Sequence, residues 1–126
     1  MRYLVDTQVF LWWMADPDRL SPAVLSLVRN DAGEIGFSSV SGWEIAIKGA
    51  LGKVSGVPID DIEAEVEALG WNEPRFSLRH AVAVAALPFH HRDPFDRALI
   101  AQAITENLTF VTSERIASQY AVKVFW

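Results

Sequence analysis

The chain has no cysteine. That excludes disulfides, thiol nucleophiles and thiolate zinc sites, and it fits a cytosolic location. Long apolar runs are missing too. The longest near the start, Val9 to Ala15, is far too short to span a bilayer. Met1-Arg2 is followed almost at once by Asp6, which is not a signal-peptide pattern. Positive charge is scarce: 11 Lys and Arg face 16 Asp and Glu, for a formal net charge of −5. A protein that grips nucleic acid by surface charge alone should be basic. An RNA or DNA substrate would need bound cations or a local basic patch to offset this balance. A basic protein partner is another natural consequence. Several catalytic and cofactor motifs are also absent. There is no G-x-S-x-G, and no Rossmann glycines follow the first strand. Gly49 to Val54 lacks the spacing and the Ser/Thr of a P-loop, and His80, His90 and His91 lack the spacing of a zinc helix.

What the chain does have is apolar bulk. It is 126 residues long and 51% apolar, enough for one domain, residues 1–126, with a real core. The pattern alternates strands and helices. Arg2–Val5 reads as a buried strand, followed by a helix from Gln8 to Ala15 that is apolar nearly all round. Ser21-Pro22 starts a second helix, and Glu34–Ser38 reads as a second strand. Ser39 or Ser41 is expected to cap a third helix from Gly42 to about Leu51, closed by a left-handed Gly52. A loop is expected over 53–58 and an acidic helix from Asp60 or Asp61 to Gly70. Trp71–Phe76 reads as a short strand and Leu78–Leu87 as a small-residue helix capped by Ser77. Leu108–Thr112 and Ala121–Phe125 supply the last strands, around a short helix at Arg115–Gln119. No repeat, linker or low-complexity segment interrupts this order.

The stretch Phe89–Glu106 carries the most chemistry. Asp93-Pro94 has the form of a helix start, the Asp capping and the Pro at the first helical position. Asp96 heads a stripe that continues through Ile100 and Ala103 toward the core. It can serve as a first-turn acid that complements the helix dipole, or as a metal ligand. Three more acids compare with it. Asp6 and Glu114 follow strands at their carboxyl ends, and Glu44 is expected in the first turn of its helix. Glu44 and Lys48, four apart, also fit a plain surface ion pair. If the sheet is parallel, all four acids converge on one rim, the edge where open α/β sheets bind ligands. Clustered carboxylates repel unless cations lie between them. Hard oxygen donors without Cys or paired His select Mg²⁺ or Mn²⁺. Such ions support in-line attack on a phosphodiester, which is nuclease chemistry. Arg92 and Arg97 flank the acids and suit either ion pairing with Asp93 or Asp96 or a grip on substrate phosphate. His90 and His91 suit capping or surface roles, or contact with RNA. Trp12 and Trp13 point about 100° apart on their helix, so one of them can meet solvent or a partner.

The order Leu4-Val5-Asp6-Thr7, Ser41-Gly42-Trp43-Glu44, His91–Arg97 with Leu99–Ala103, and Val111-Thr112-Ser113 plus an acid resembles the PIN-domain proteins. It is most similar to the VapC-type toxins of type II toxin–antitoxin pairs. The resemblance covers nearly the whole chain. It implies an α/β fold, a three-layer α/β/α sandwich with a central parallel sheet of about four to five strands. It implies Mg²⁺-dependent cleavage of RNA, commonly tRNA or rRNA, with Mn²⁺ as a possible substitute. It also implies a homodimer, neutralisation by a cognate antitoxin, and operator DNA contacted only through the antitoxin complex. Carried over by position, Asp6, Glu44 and Asp96 are the core acids and metal ligands. Glu114 stands where many members have Asp. Asp93 is a cap with possible second-metal or proton-transfer duty. Thr7, Thr112 and Ser113 are expected to hold carboxylates, waters or substrate, and Arg92 to contact substrate. A non-catalytic interaction module, or a nuclease acting on DNA or structured flaps, remains as an alternative.

Overall fold

Successive residues of a strand point to opposite faces, and in this sheet both faces are apolar. The computed structural model describes residues 1–53 and 59–126; the loop expected over 53–58 lies largely outside the described residues. Four strands pair side by side: β1 (Tyr3–Val5), β2 (Ile35–Gly36), β3 (Thr109–Val111) and β4 (Val124–Phe125). All pairings are parallel, in the order β2-β1-β3-β4. Leu4 stands opposite Gly36 and Phe110, and Val5 opposite Val111.

This register separates two cores. Val5, Ile35 and Val111 pack with α1 (Thr7–Ala15), α2 (Pro22–Asn30) and α4 (Ile62–Leu69) through Val9, Phe10, Val24, Val28, Ile62 and Val66. Leu4 and Phe110 pack on the other side with α6 (Pro94–Thr105) through Leu99, Ile100 and Ala103. The remaining helices are α3 (Ser39–Ala50) and α5 (Leu78–Val84), and α5 packs on α6. α3 contributes to both cores, Val40 to one and Ile45 to the other. The result is the expected sandwich of helices on a parallel sheet, with four strands among the described residues.

Several boundaries differ from expectation, each for a local reason. The cap of α3 is Ser38, not Ser39 or Ser41: its hydroxyl accepts from the Val40 N–H (3.1 Å) and donates to Gln102 Oε1 (2.6 Å). Ser39 Oγ instead accepts from the Phe76 N–H at 3.0 Å. The strand expected at Trp71–Phe76 is reduced to one bridge, Asn72 to Gly36. Pro74 lacks the N–H a ladder needs, and its carbonyl turns to the Ser39 N–H and the Gln102 amide, both at 3.3 Å. The same Pro74 accounts for Gly36: a Cβ there would lie 3.1 Å from Pro74 Cγ and would also meet the Met1 side chain. Gly52 closes α3 at φ +70, as its position predicts.

α5 stops at Val84, short of Leu87, and the carbonyls freed there are taken up by Arg97. This buried guanidinium donates to Pro88 O (2.9 Å), Val84 O (3.3 Å), Leu87 O (3.5 Å) and Tyr120 Oη (3.3 Å). It also lies 4.3 Å from the centre of the Phe89 ring. An ammonium cannot reproduce this planar fork. Arg97→Lys is therefore expected to cost about 2–3 kcal/mol of stability, read as a lower urea midpoint at unchanged slope. An unchanged midpoint would mean that the carbonyls find other donors.

Candidate active site

β1 and β3 lie at the centre of the sheet, and the chain places β2 beyond one and β4 beyond the other. Their carboxyl ends are a topological switch point, where α/β sheets open a crevice. Asp6 sits in it. Its N–H donates to Val111 O (3.0 Å), and Oδ1 caps α1 by accepting from the Val9 N–H (2.7 Å). Oδ2 accepts from Thr112 Oγ1 at 2.5 Å, and Thr112 Oγ1 in turn accepts from the Glu114 N–H at 3.0 Å. One carboxylate thus ties both central strand ends together. Burial pushes the Asp6 carboxyl from 3.8 up to about 7, against the lowering bonds from Thr112 and Val9; Asp96 and Glu114 add repulsion.

Glu44 is buried in the second turn of α3, not the first, because the helix starts at Ser39. Thr7 Oγ1 lies 2.6 Å from Glu44 Oε1 and 2.9 Å from Ser41 Oγ. A carboxylate only accepts, so the single Thr7 proton goes to Glu44 and Ser41 supplies the proton of the second bond. Glu44 Oε2 pairs with Lys48 Nζ. The surface-pair reading of these two residues fails on burial: the Glu44 side chain is 7% exposed, the Lys48 side chain 37%. The hydrogen bond to Glu44 chiefly raises the Lys48 pKa, and Asp93 and Asp96 add to it.

α6 brings the remaining pair. Asp93 caps it as expected, Oδ1 accepting from the Phe95 (2.8 Å) and Asp96 (3.3 Å) N–H groups. Asp96 follows in the first turn. Burial is the main cause that lifts its carboxyl from 3.8 to about 6, with repulsion from Asp93 next; His91 acts in the opposite sense. His91 Nδ1 accepts from the Arg92 N–H at 3.0 Å and the Asp93 N–H at 3.5 Å. That leaves the ring proton on Nε2, which donates to Asp96 Oδ2 at 2.8 Å.

A cleft of about 460 Å³ joins these elements, and Asp6, Glu44, Asp93, Asp96 and Glu114 all line it together with Thr7. Glu114 is exposed, at the start of the 3₁₀ turn Arg115–Gln119. Thr112 lies behind Asp6. Ser113 is half-buried and Arg92 exposed, and neither lines the cleft. The pairing of Arg97 with Asp93 or Asp96 is not found, because Arg97 is committed to the end of α5. From the sequence His91 suits a cap, a surface position or contact with RNA, and Lys48 a surface pair with Glu44; the structure bonds each to an acid of the cleft. The Lys48 signal was visible as an i,i+4 pair on an otherwise apolar helix. The bond from His91 to Asp96 crosses a helix cap, where no periodicity points to it.

Among the described residues no three His, Asp or Glu side chains stand close enough, as placed, to hold one ion. The reason is local: Val9 and Thr112 hold Asp6, Thr7 and Lys48 hold Glu44, and His91 holds one oxygen of Asp96. The donor set still suits a hard divalent cation. It is all oxygen on the cleft wall, and two of its acids are pushed toward the neutral form chiefly by burial, with repulsion from neighbouring carboxylates added.

A parallel sheet sheathed by helices, with acids gathered at its central switch point, is the architecture of an α/β domain built around an acidic cleft. The chain belongs to the PIN domain family, whose profile matches residues 3–123. PIN nucleases are generally metal-dependent. Over 117 residues the chain is 29% identical to Ribonuclease VapC22 of Mycobacterium tuberculosis, across 89% of this chain and 86% of that protein. Its fold resembles that of VapBC2 from Rickettsia felis bound to a DNA fragment from their promoter. There the TM-score is 0.72 at 18% identity, covering 100% of this chain and 99% of that one. DNA-bound VapBC from Salmonella typhimurium gives a TM-score of 0.73 at 14% identity, over 99% and 97% of the two chains. Among the described residues no helix is long and apolar enough to cross a membrane.

Proposed function

We propose that this PIN domain is a divalent-metal-dependent endoribonuclease, the toxin of a toxin–antitoxin pair acting in the cytoplasm. The observation that carries this reading is the convergence of Asp6, Glu44, Asp93, Asp96 and Glu114 in one cleft, with the carboxyls of Asp6 and Asp96 raised to about 7 and about 6. Asp6 and Asp96 would hold Mg²⁺ or Mn²⁺ directly, and Glu44 directly or through water. Bound there, the cation would lower the pKa of a water and stabilise charge on a phosphodiester. Thr112 positions Asp6 and Thr7 positions Glu44. His91 orients Asp96 through Nε2. Glu114 and Asp93, which line the cleft, would reach the metal through water or take up a proton. Arg92 and Ser113, at the edge, would contact substrate only once it is bound. An antitoxin and operator DNA reached through it complete the proposal, by analogy with the DNA-bound complexes named for its structural relatives, and a homodimer is proposed on the family resemblance alone.

Asp6 and Asp93 also cap helices, which favours a second reading as a non-catalytic module whose acids are structural. The two separate in one experiment: purified protein is incubated with single-stranded RNA and DNA in Mg²⁺, in Mn²⁺ and in EDTA. Metal-dependent cutting of RNA alone is the expected result. No cutting, with no change in thermal stability on adding either metal, would establish the module. Cutting of DNA would move the substrate class.

A further inference from the structure

The acidic cleft must still attract a polyanion, and its cations are not where the sequence suggested. Arg92 lies outside it, whereas Arg19 lines it. Arg19 ends the 3₁₀ turn Pro17–Arg19, held by a bond from its N–H to Asp16 O (3.1 Å). Its guanidinium lies 4.7 Å from the centre of the Trp12 ring, in a cation–π stack. Trp12 is itself backed by Trp126, with ring centres 6.0 Å apart. The Arg19 side chain is exposed, and among the described residues it forms no ion pair with a carboxylate. Trp12 lies six residues along α1 from Asp6, a rise of about 9 Å along the helix axis. The stack therefore borders the acidic centre on the wall of the same cleft. Lys48 and Lys53 line the same cleft, but Lys48 is engaged by Glu44.

Resting on the nuclease reading, we propose that Arg19, held on Trp12, forms a nucleotide subsite of this cleft. Its N–H groups bind the phosphate next to the scissile one, and its outer face stacks the attached base. A planar cation fixed on an aromatic ring offers both a fork of donors and a stacking surface without further ordering. This supplies the local positive charge that a chain of net −5 needs to hold RNA.

The test compares the parent with Arg19→Ala and Arg19→Lys, after confirming that thermal midpoints agree. Single-turnover cleavage of a short single-stranded RNA in Mg²⁺ gives the saturation constant and the maximal rate. Binding to a labelled RNA is measured across a salt series in an Asp96→Asn background. Arg19→Ala should weaken binding about tenfold, raise the saturation constant equally, and lower the salt slope by about one, with the maximal rate little changed. Arg19→Lys should recover the salt slope but not the full affinity, and the deficit should vanish on RNA abasic at that nucleotide. If the parent cuts RNA and Arg19→Ala matches it in affinity and salt slope, the subsite is wrong and the nuclease reading stands. If Arg19→Ala spares RNA but weakens binding of a protein partner, the surface belongs to that partner and the subsite is again wrong. A parent that neither binds nor cuts RNA removes both.

Discussion

Asp96→Asn is expected to reduce metal-dependent RNA cleavage by on the order of 10³-fold or more while leaving the fold intact. The two halves of this expectation have separate causes. The fold survives because the side chain's structural partner is retained. An amide oxygen can accept from His91 Nε2, which now sits 2.8 Å from Asp96 Oδ2. Asp93, not Asp96, caps α6, so the helix start is untouched. The activity is lost because the remaining amide group donates hydrogen bonds and carries no charge, so it cannot serve a hard cation as a carboxylate oxygen does. Removing the acid should also stabilise the metal-free protein at neutral pH, since its ionised form is disfavoured by burial and by Asp93. The checks are single-turnover cleavage at saturating Mg²⁺ and a urea melt. A variant that cleaves at the parent's rate would take Asp96 out of the mechanism.

Much of this site was legible because it is written in local patterns. Asp93-Pro94 announces a helix start through capping and a missing N–H, and the structure has both. Strand, acid, helix at Val5-Asp6-Thr7 places a carboxylate at a sheet edge, and the parallel order of the strands makes that edge common to Glu114. What was not legible depends on partners far along the chain. Three serines, Ser38, Ser39 and Ser41, are equivalent as caps in the sequence. Their roles divide only because Gln102, Phe76 and Thr7 arrive from elsewhere. Arg97 looked like a partner for the neighbouring acids by proximity. The early end of α5 presents carbonyls that compete for it, and that end is invisible in an Ala-rich run which propensity would continue. Arg19 carried no signal, since nothing local indicates that a turn will fold a guanidinium onto the ring of Trp12.

The metal-free protein should lose stability as pH rises through the range of about 4 to 7, and divalent cation should reverse that trend. The sign follows from Asp6. Its carboxyl titrates at 3.8 when free and at about 7 in the fold. Below 4 both states hold the proton and the group is neutral in its effect. Between the two values the folded state binds the proton more tightly, so each step up in pH favours unfolding. Above 7 both states are ionised and the fold bears the whole cost of a buried, uncompensated charge, on the order of 4 kcal/mol. Asp96 acts in the same direction up to about 6. A bound cation favours the ionised form of both. Mg²⁺ should therefore raise the thermal midpoint strongly at about pH 8 and scarcely at about pH 5. Asp6→Asn isolates the residue. Asn caps a helix as well as Asp does, so the bond from the Val9 N–H is kept and the charge is dropped; the bond to Thr112 reverses, the amide donating to Thr112 Oγ1, which gives up Asp6 as its acceptor. In EDTA its stability should vary less with pH than the parent's and exceed it at about pH 8, and Mg²⁺ should no longer raise it. Equal pH slopes for parent and variant in EDTA would show that Asp6 ionises freely in the fold. The premise of a cleft that lacks a counter-charge would then be lost.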